Sequence, residues 1–268
     1  MSAQSGYVMD PAWRDERARL QGIETMYDPV TREQLSAVGI APGWRCLEVG
    51  GGAGGVAQWM ASVVGRDGHV AATDLDPRFL EGLDGIEVRR HDIVNDELES
   101  AAFDLIHSRM VLEHIPEREQ ALARLVPALK PGGWLVIEDI DFGGAMVAAL
   151  ARYTPEPNLR GIYERILVGF EKFMSAAGAD LELGSRLVGL FEDVGLVNVY
   201  AESRARLLRH EENDFARLSI GQLREALIAA GLVTADELDT FLGALAEPST
   251  SMMSLFLVSA RGQRPDRS

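Results

Sequence analysis

Cysteine is nearly absent: a single one, Cys46, stands in 268 residues. One thiol cannot close an intramolecular disulfide, so the fold must draw on its core, and a reducing cytoplasmic setting is expected. Basic charge is also scarce. The 26 Lys and Arg face 41 Asp and Glu, giving a net charge of -15. That balance opposes nucleic acid as a partner, because phosphate backbones are bound by clustered cations that displace counterions. The one short basic tail, Arg261 to Arg267, reads as solvated chain. No apolar run approaches the roughly 20 residues that a membrane span needs. Met1 to Asp10 lack the basic-then-apolar pattern of a signal peptide. Repeats and low-complexity tracts are missing too. What is present, 47% hydrophobic and 25% charged residues, is the composition of a globular protein. The length suits one large α/β domain, here taken as 1–268.

Residues 12–40 read as helical, with a break expected at Asp28-Pro29. From Trp44 the pattern changes to a short apolar strand, Trp44 to Val49, that runs straight into glycines. A helix over about 54–64 and a strand His69 to Asp74 follow. Asp76-Pro77 has the form of an N-cap and first residue of a further helix. Ile86 to Arg90 and Phe103 to His107 read as strands, and 117–129 as an amphipathic helix stopped by Lys130-Pro131-Gly132-Gly133. The strand Trp134 to Glu138 comes next. Strands alternating with helices predict a doubly wound, mostly parallel seven-stranded sheet with helices on both faces. Residues 142–158, with two glycines and two prolines, read as a loop or lid before a helix over about 159–177. A shorter helix ends at Gly195, and late strands at 196–201 and 254–260 enclose two helices, about 219–230 and 234–245. The division expected is an N-terminal helical cover over 1–43, a core over 44–141, a helical cover over 142–195, and C-terminal strands with a helical insertion over 196–268.

The most informative segment is Glu48-Val49-Gly50-Gly51-Gly52-Ala53-Gly54-Gly55. A strand enters, glycines turn it, and a helix N-terminus follows, offering unpaired N–H groups and a partial positive charge. Gly50, Gly52 and Gly55 fit the dinucleotide fingerprint G-x-G-x-x-G, whereas Gly50, Gly52 and Gly54 fit the G-x-G-x-G of adenosylmethionine binders. Glu48 separates the two. A buried acid there repels a pyrophosphate but suits the cationic ammonium and sulfonium of S-adenosylmethionine. An NAD-dependent oxidoreductase remains the rival reading of the loop alone.

Over 44–138 the segments resemble, in order, those of the class I S-adenosylmethionine-dependent methyltransferases. The resemblance implies that Glu48, Gly50, Gly52 and Gly54 surround the cofactor and that Asp74, followed by Leu75, accepts from both ribose hydroxyls. Asp92 and Ile93 would receive the adenine. Phe103 to Ser108 with Leu112-Glu113-His114-Ile115, and Leu129 to Leu135, are similar to the fourth- and fifth-strand segments of small-molecule enzymes, with Ser108 and Arg109 at the methionine end. The flavour is that of the ubiquinone/menaquinone-type and natural-product methyltransferases. A small-molecule acceptor is then expected between residues 7–32 and 139–175, with S-adenosylhomocysteine as product. A same-fold enzyme that turns the bound cofactor to another reaction, such as a cyclisation, is the alternative, and a non-catalytic binding protein a third.

Methyl transfer requires alignment and exclusion of water, and a base only where a proton must leave. If a base exists, His114 is the first candidate and His107 the second, since imidazole titrates near neutrality. A core role competes for both. Glu138, Asp139 and Asp141 cluster after the fifth strand, but the fourth strand ends without a carboxylate, so no metal is expected. Tyr7, Trp13, Phe142, Met146, Tyr153, Phe170, Phe173 and Met174 could line an apolar acceptor pocket. A homodimer is the default expectation for assembly.

Overall fold

The apolar run that ends at Val49 needs burial on both faces, and the fold supplies it. The structure, a computed structural model, describes residues 9–266 apart from 11, 155–156 and 210–211. Strands β1 (Arg45–Val49), β2 (His69–Asp74), β3 (Glu87–Arg90), β4 (Phe103–Arg109) and β5 (Leu129–Asp141) run parallel. With β6 (Val197–Arg204) and β9 (Phe256–Gln263) they form a seven-stranded sheet, ordered β3-β2-β1-β4-β5-β9-β6. The last strand in sequence slots antiparallel between β5 and β6. The expected sheet is therefore the observed one.

Helices α2 (Gly55–Val64), α3 (Arg118–Ala128) and α6 (Leu187–Asp193) pack on the sheet. One cluster packs Met60, Val64 and Leu80 on Cys46, Val70 and Leu105; another packs Leu122, Leu125 and Phe191 on Leu47, Ile106 and Ile137. A third cluster lies above the carboxyl ends of the strands. It joins α1 (Glu16–Ala37), α4 (Ala145–Ala151), α5 (Pro157–Ala176), α7 (Asp214–Ala229), α8 (Ala235–Leu245) and a small pair, β7 (Leu207–Arg209) with β8 (Ser251–Met253). The crevice outside the carboxyl ends, where open α/β sheets bind ligands, is thus roofed.

Four local expectations change. The first helix is not broken at Asp28-Pro29 but runs unbroken through Pro29. An interior proline costs about 3 kcal/mol, and bonds on either side of it hold the helix in place. Asp28 accepts from Arg109 (2.9 Å), and Thr31 both accepts from Arg109 (2.8 Å) and donates to Glu138. The helix expected at Asp76-Pro77 is only a tight turn over Pro77–Phe79, because the Asp76 carboxylate pairs with Arg78 at 2.5 Å instead of capping. The segment Lys130-Pro131-Gly132-Gly133 ends a helix yet belongs to the sheet: Gly132 N donates to Arg264 O (2.9 Å) and Arg264 N to Gly133 O (2.8 Å). The expected lid over 142–158 contains α4, and the roof also draws on the insertion between β6 and β9, which the sequence did not assign to it.

The anchoring of α1 is testable at Thr31. Thr31→Val keeps the shape and removes the hydroxyl that joins Arg109 to Glu138. Urea denaturation is expected to show a loss of about 1–3 kcal/mol, with faster amide exchange in α1. An unchanged midpoint and exchange pattern would mean that apolar contacts alone dock the helix.

Candidate active site

Under the roof lies a cavity of about 680 Å³, within the roughly 300–1,000 Å³ range of small-molecule sites. The glycine loop forms one wall. Gly50 and Gly52 hold φ of +73° and +55°, where an L side chain is strained. A Cβ at Gly50 would also collide with Val111, whereas Gly52 faces open space, with Leu20 the nearest atom at 3.8 Å. The backbone is therefore bared to the cavity. Gly52 N donates to Asp74 (3.3 Å), and Gly55 N, at the start of α2, donates to Glu24 of α1 at 2.6 Å.

Of the residues singled out for the cofactor, Glu48, Gly50, Gly52, Asp74, Leu75, Asp92, Ile93 and Arg109 line this cavity. Asp74 carries an upshifted carboxyl, raised by burial and only partly offset by N–H groups of Asp76 and Gly52. Asp74 also braces the turn that follows it, accepting from Asp76 N at 3.0 Å. Burial works against the Asp92 carboxylate, but the Asn95 side chain (2.8 Å) and Val94 N (2.9 Å) outweigh it and hold its pKa low. Ser108 is not at the cavity. It is buried in β4 and donates to Val49 O at 3.1 Å, because its side chain follows the pleat away from the opening. Gly54 is not among the lining residues either; its φ of +97° starts α2. Arg109 reaches the cavity with its guanidinium already given to Asp28 and Thr31.

The two histidines part company. His107 does not line this cavity; it is fully buried between Glu48 (Nδ1 to Oε2, 2.7 Å) and Glu138 (Nε2 to Oε2, 3.2 Å). Burial alone would discharge it, yet the two carboxylates dominate and lift its pKa to about 9. It is a structural imidazolium, which corrects its candidacy as a base. Burial raises the Glu48 carboxyl against the pull of His107, while His107 and the Ser259 hydroxyl (2.5 Å) hold Glu138 low despite burial.

His114 does face the cavity. Its pKa falls to about 3, first through burial and then through the nearby Arg19, so the ring is neutral at working pH. It follows Met110, whose φ of +54° turns the chain out of β4 and into the cavity. Nε2 of His114 lies 3.3 Å from Oε1 of Glu113, a residue the sequence reading did not single out. Glu113 accepts from Ile140 N at 2.9 Å, and its carboxyl meets that of Asp139, which accepts from Val111 N at 3.2 Å. The other Asp139 oxygen, Oδ2, is buried with no donor. Two carboxyls packed together in a dry place share a proton. Burial accordingly raises Glu113 to about 7, and burial with the Glu113 charge lifts Asp139 well above its usual range.

Other lining residues were also missed. Glu16, Arg19 and Glu24 come from α1, and Phe215, Ser219 and Leu255 from the late insertion. Only their place in the roof marks them. Of the proposed apolar set, Phe170 and Met174 line the cavity; Phe142 is core, edge-on to Phe170, and Tyr153 is exposed. Tyr7 lies outside the described residues. No group of three or more metal-ligating side chains occurs among the described residues, nor is any helix there long and apolar enough to cross a membrane.

Comparison with known proteins fits this geometry. A family model described as a methyltransferase domain matches residues 10–182. "Methyltransferase str2" of Strobilurus tenacellus is 35% identical over 53% of this chain and 52% of its own. "Methyltransferase str3" of the same organism is 29% identical over 71% and 66%. The chain thus spans about half to two thirds of these relatives. A phosphoethanolamine N-methyltransferase of Haemonchus contortus, solved with S-adenosyl-L-methionine, shares the fold at a TM-score of 0.57 and 17% identity, over 95% of this chain and 58% of that one.

The shared proton makes a testable claim about stability. A carboxyl raised from 4.5 to about 7 on folding contributes fully below pH 4.5, and that contribution is lost as pH rises through 7. Glu113→Gln removes the dependence, although Asp139, Glu138 and Arg19 nearby still titrate or carry charge in both proteins. The melting temperature of the wild type is expected to fall relative to the variant between pH 5 and 7. Parallel curves would mean that Glu113 folds already ionised.

The glycine turn, the roofed crevice at the strand ends and the matched domain all agree: this chain belongs to the methyltransferase-domain family, in the class I Rossmann-like fold of the S-adenosylmethionine-dependent enzymes.

Proposed function

We propose that the protein transfers a methyl group from S-adenosylmethionine to a small-molecule acceptor held under the helical roof. The observation that carries the reading is the charge of the cavity around the bared glycine loop. Eight carboxyl side chains line it against two guanidinium groups, Arg19 and Arg109, and both guanidiniums are held by carboxylates of α1. A cationic ligand is favoured there and a pyrophosphate is not. The residues suit the group: Gly52 leaves backbone exposed, Glu48 supplies a buried acid, and Asp74 stands at the end of β2.

The cofactor, when bound, supplies a methyl carbon activated by an adjacent positive sulfur. The chain's own part is placement. Glu48, fixed by His107, would hold the ammonium end; Asp74 would accept from ribose hydroxyls; Ile93 would pack on the adenine beside Asp92. The roof excludes water, which strengthens each of these contacts. His114, neutral and at the cavity wall, would orient the acceptor and carry away a proton where one must leave.

The reading is tested by calorimetric titration with S-adenosylhomocysteine, with NADH as the comparison. Micromolar binding of the former alone is expected, weakened by about 1–3 kcal/mol in Asp74→Ala through loss of its hydrogen bonds. Preference for NADH, or unaltered affinity in a folded Asp74→Ala, would contradict it.

A further inference from the structure

The cavity changes character away from the glycine loop. Beyond Met110 its wall is made by Ile140, Phe170, Met174, Leu181, Phe215 and Leu255, all apolar. Polar groups interrupt that wall. His114 and Glu113 stand together, 3.3 Å apart, with Arg19 nearby. Ser219 of α7 is another: it is 3% exposed, lines the cavity, and its hydroxyl has no hydrogen-bond partner. A buried hydroxyl without a partner is costly, and a ligand that bonds it repays that cost.

Charge narrows the choice further. Arg19 grips Glu16 through two bonds, 2.8 and 2.6 Å, and Arg109 is clasped by Asp28 and Thr31. A phosphate or carboxylate on the acceptor would find each cation already neutralised, and would lie near Glu113. An ammonium would lose its hydration against six apolar side chains. A neutral hydroxyl escapes both penalties, and Glu113 Oε1, 3.3 Å from Nε2 of His114, stands where the proton it must lose can go.

We propose that the acceptor is an uncharged, largely apolar phenol, with its hydroxyl at His114 and a further hydrogen bond from Ser219. This rests on the methyltransferase reading above. The O–H bond breaks as the oxygen–methyl bond forms. The proton passes by way of His114 to the Glu113–Asp139 pair, and the electrons of the broken carbon–sulfur bond stay on sulfur, leaving a neutral thioether. The imidazole hands the proton on rather than keeping it, since its burial disfavours an imidazolium.

The complete chain, saturated with S-adenosylhomocysteine, is titrated with methyl 4-hydroxybenzoate, 4-hydroxybenzoate, tyramine and phosphoethanolamine, with binding read by ligand-observed NMR. The uncharged ester is expected to bind at least ~10-fold more tightly than each charged probe, and about threefold or more weakly in Ser219→Ala. Equal or tighter binding of any charged probe overturns the proposal. So does an ester that fails to bind the saturated chain, or binds Ser219→Ala unchanged. A chain that cannot be saturated with S-adenosylhomocysteine at all is a separate result: it removes the methyltransferase reading, and the phenol with it.

Discussion

Three adjacent strands each place one ionisable side chain at the middle of the sheet: Glu48 on β1, His107 on β4 and Glu138 on β5. Register makes the meeting unavoidable, because Glu48 pairs with His107 across β1 and β4, and Glu138 pairs with Ser259 across β5 and β9. None of these groups reaches solvent in any useful measure. Any one of them alone would be an uncompensated buried charge, which costs several kcal/mol. Together they form a chain of bonds that runs from the cavity, through the imidazolium, to the hydroxyls of Ser259 and Thr31. Thr31 belongs to α1. The sheet's buried charge and the docking of the roof are therefore one interaction, and Glu48 is fixed at the cavity because the other two are fixed behind it.

The same helix explains the charge of the cavity. α1 delivers Glu16 with Arg19, Glu24 onto the first N–H of α2, and Asp28 onto Arg109. Each basic group it meets is matched by its own acid. What remains uncompensated is negative, at the end beside the glycine loop. At the other end the proton shared by Glu113 and Asp139 lowers the negative charge and leaves an apolar pocket. One cavity thus has two electrostatic regimes, divided at the turn that Met110 makes with its positive φ.

The fold was legible because its signals are local. The run into Glu48-Val49-Gly50, the alternation of strands and helices, and the two late apolar runs are all carried by neighbouring residues. Pro29 misled for the opposite reason: its local cost is real, but Asp28 and Thr31 bond to β4 and β5, far away in sequence, and that outweighs it. Asp76 misled because Arg78, two residues on, takes its carboxylate. Ser108 and His107 stand next to each other on β4, and neither faces the opening, a matter of pleat and depth that spacing near a strand end does not resolve. Glu24 and Ser219 carry no motif visible along the chain; their placement comes from helices packed over the strand ends. Glu113 lies in the Leu112-Glu113-His114-Ile115 segment, but it gains its meaning only beside Asp139, 26 positions later.

The placement of Glu48 and the docking of the roof depend on His107 being a buried imidazolium held between two carboxylates. Ring-nitrogen NMR spectra of the intact, isotope-labelled protein between pH 6 and 10 decide this, since both ring nitrogens of an imidazolium carry protons and a neutral ring has one that does not. His107 is expected to stay protonated through neutrality and to discharge only near pH 9, with α1 loosening as it does. A neutral His107 ring at pH 7 in the folded protein would contradict it, and would leave Glu48 without the charge that fixes it at the cavity.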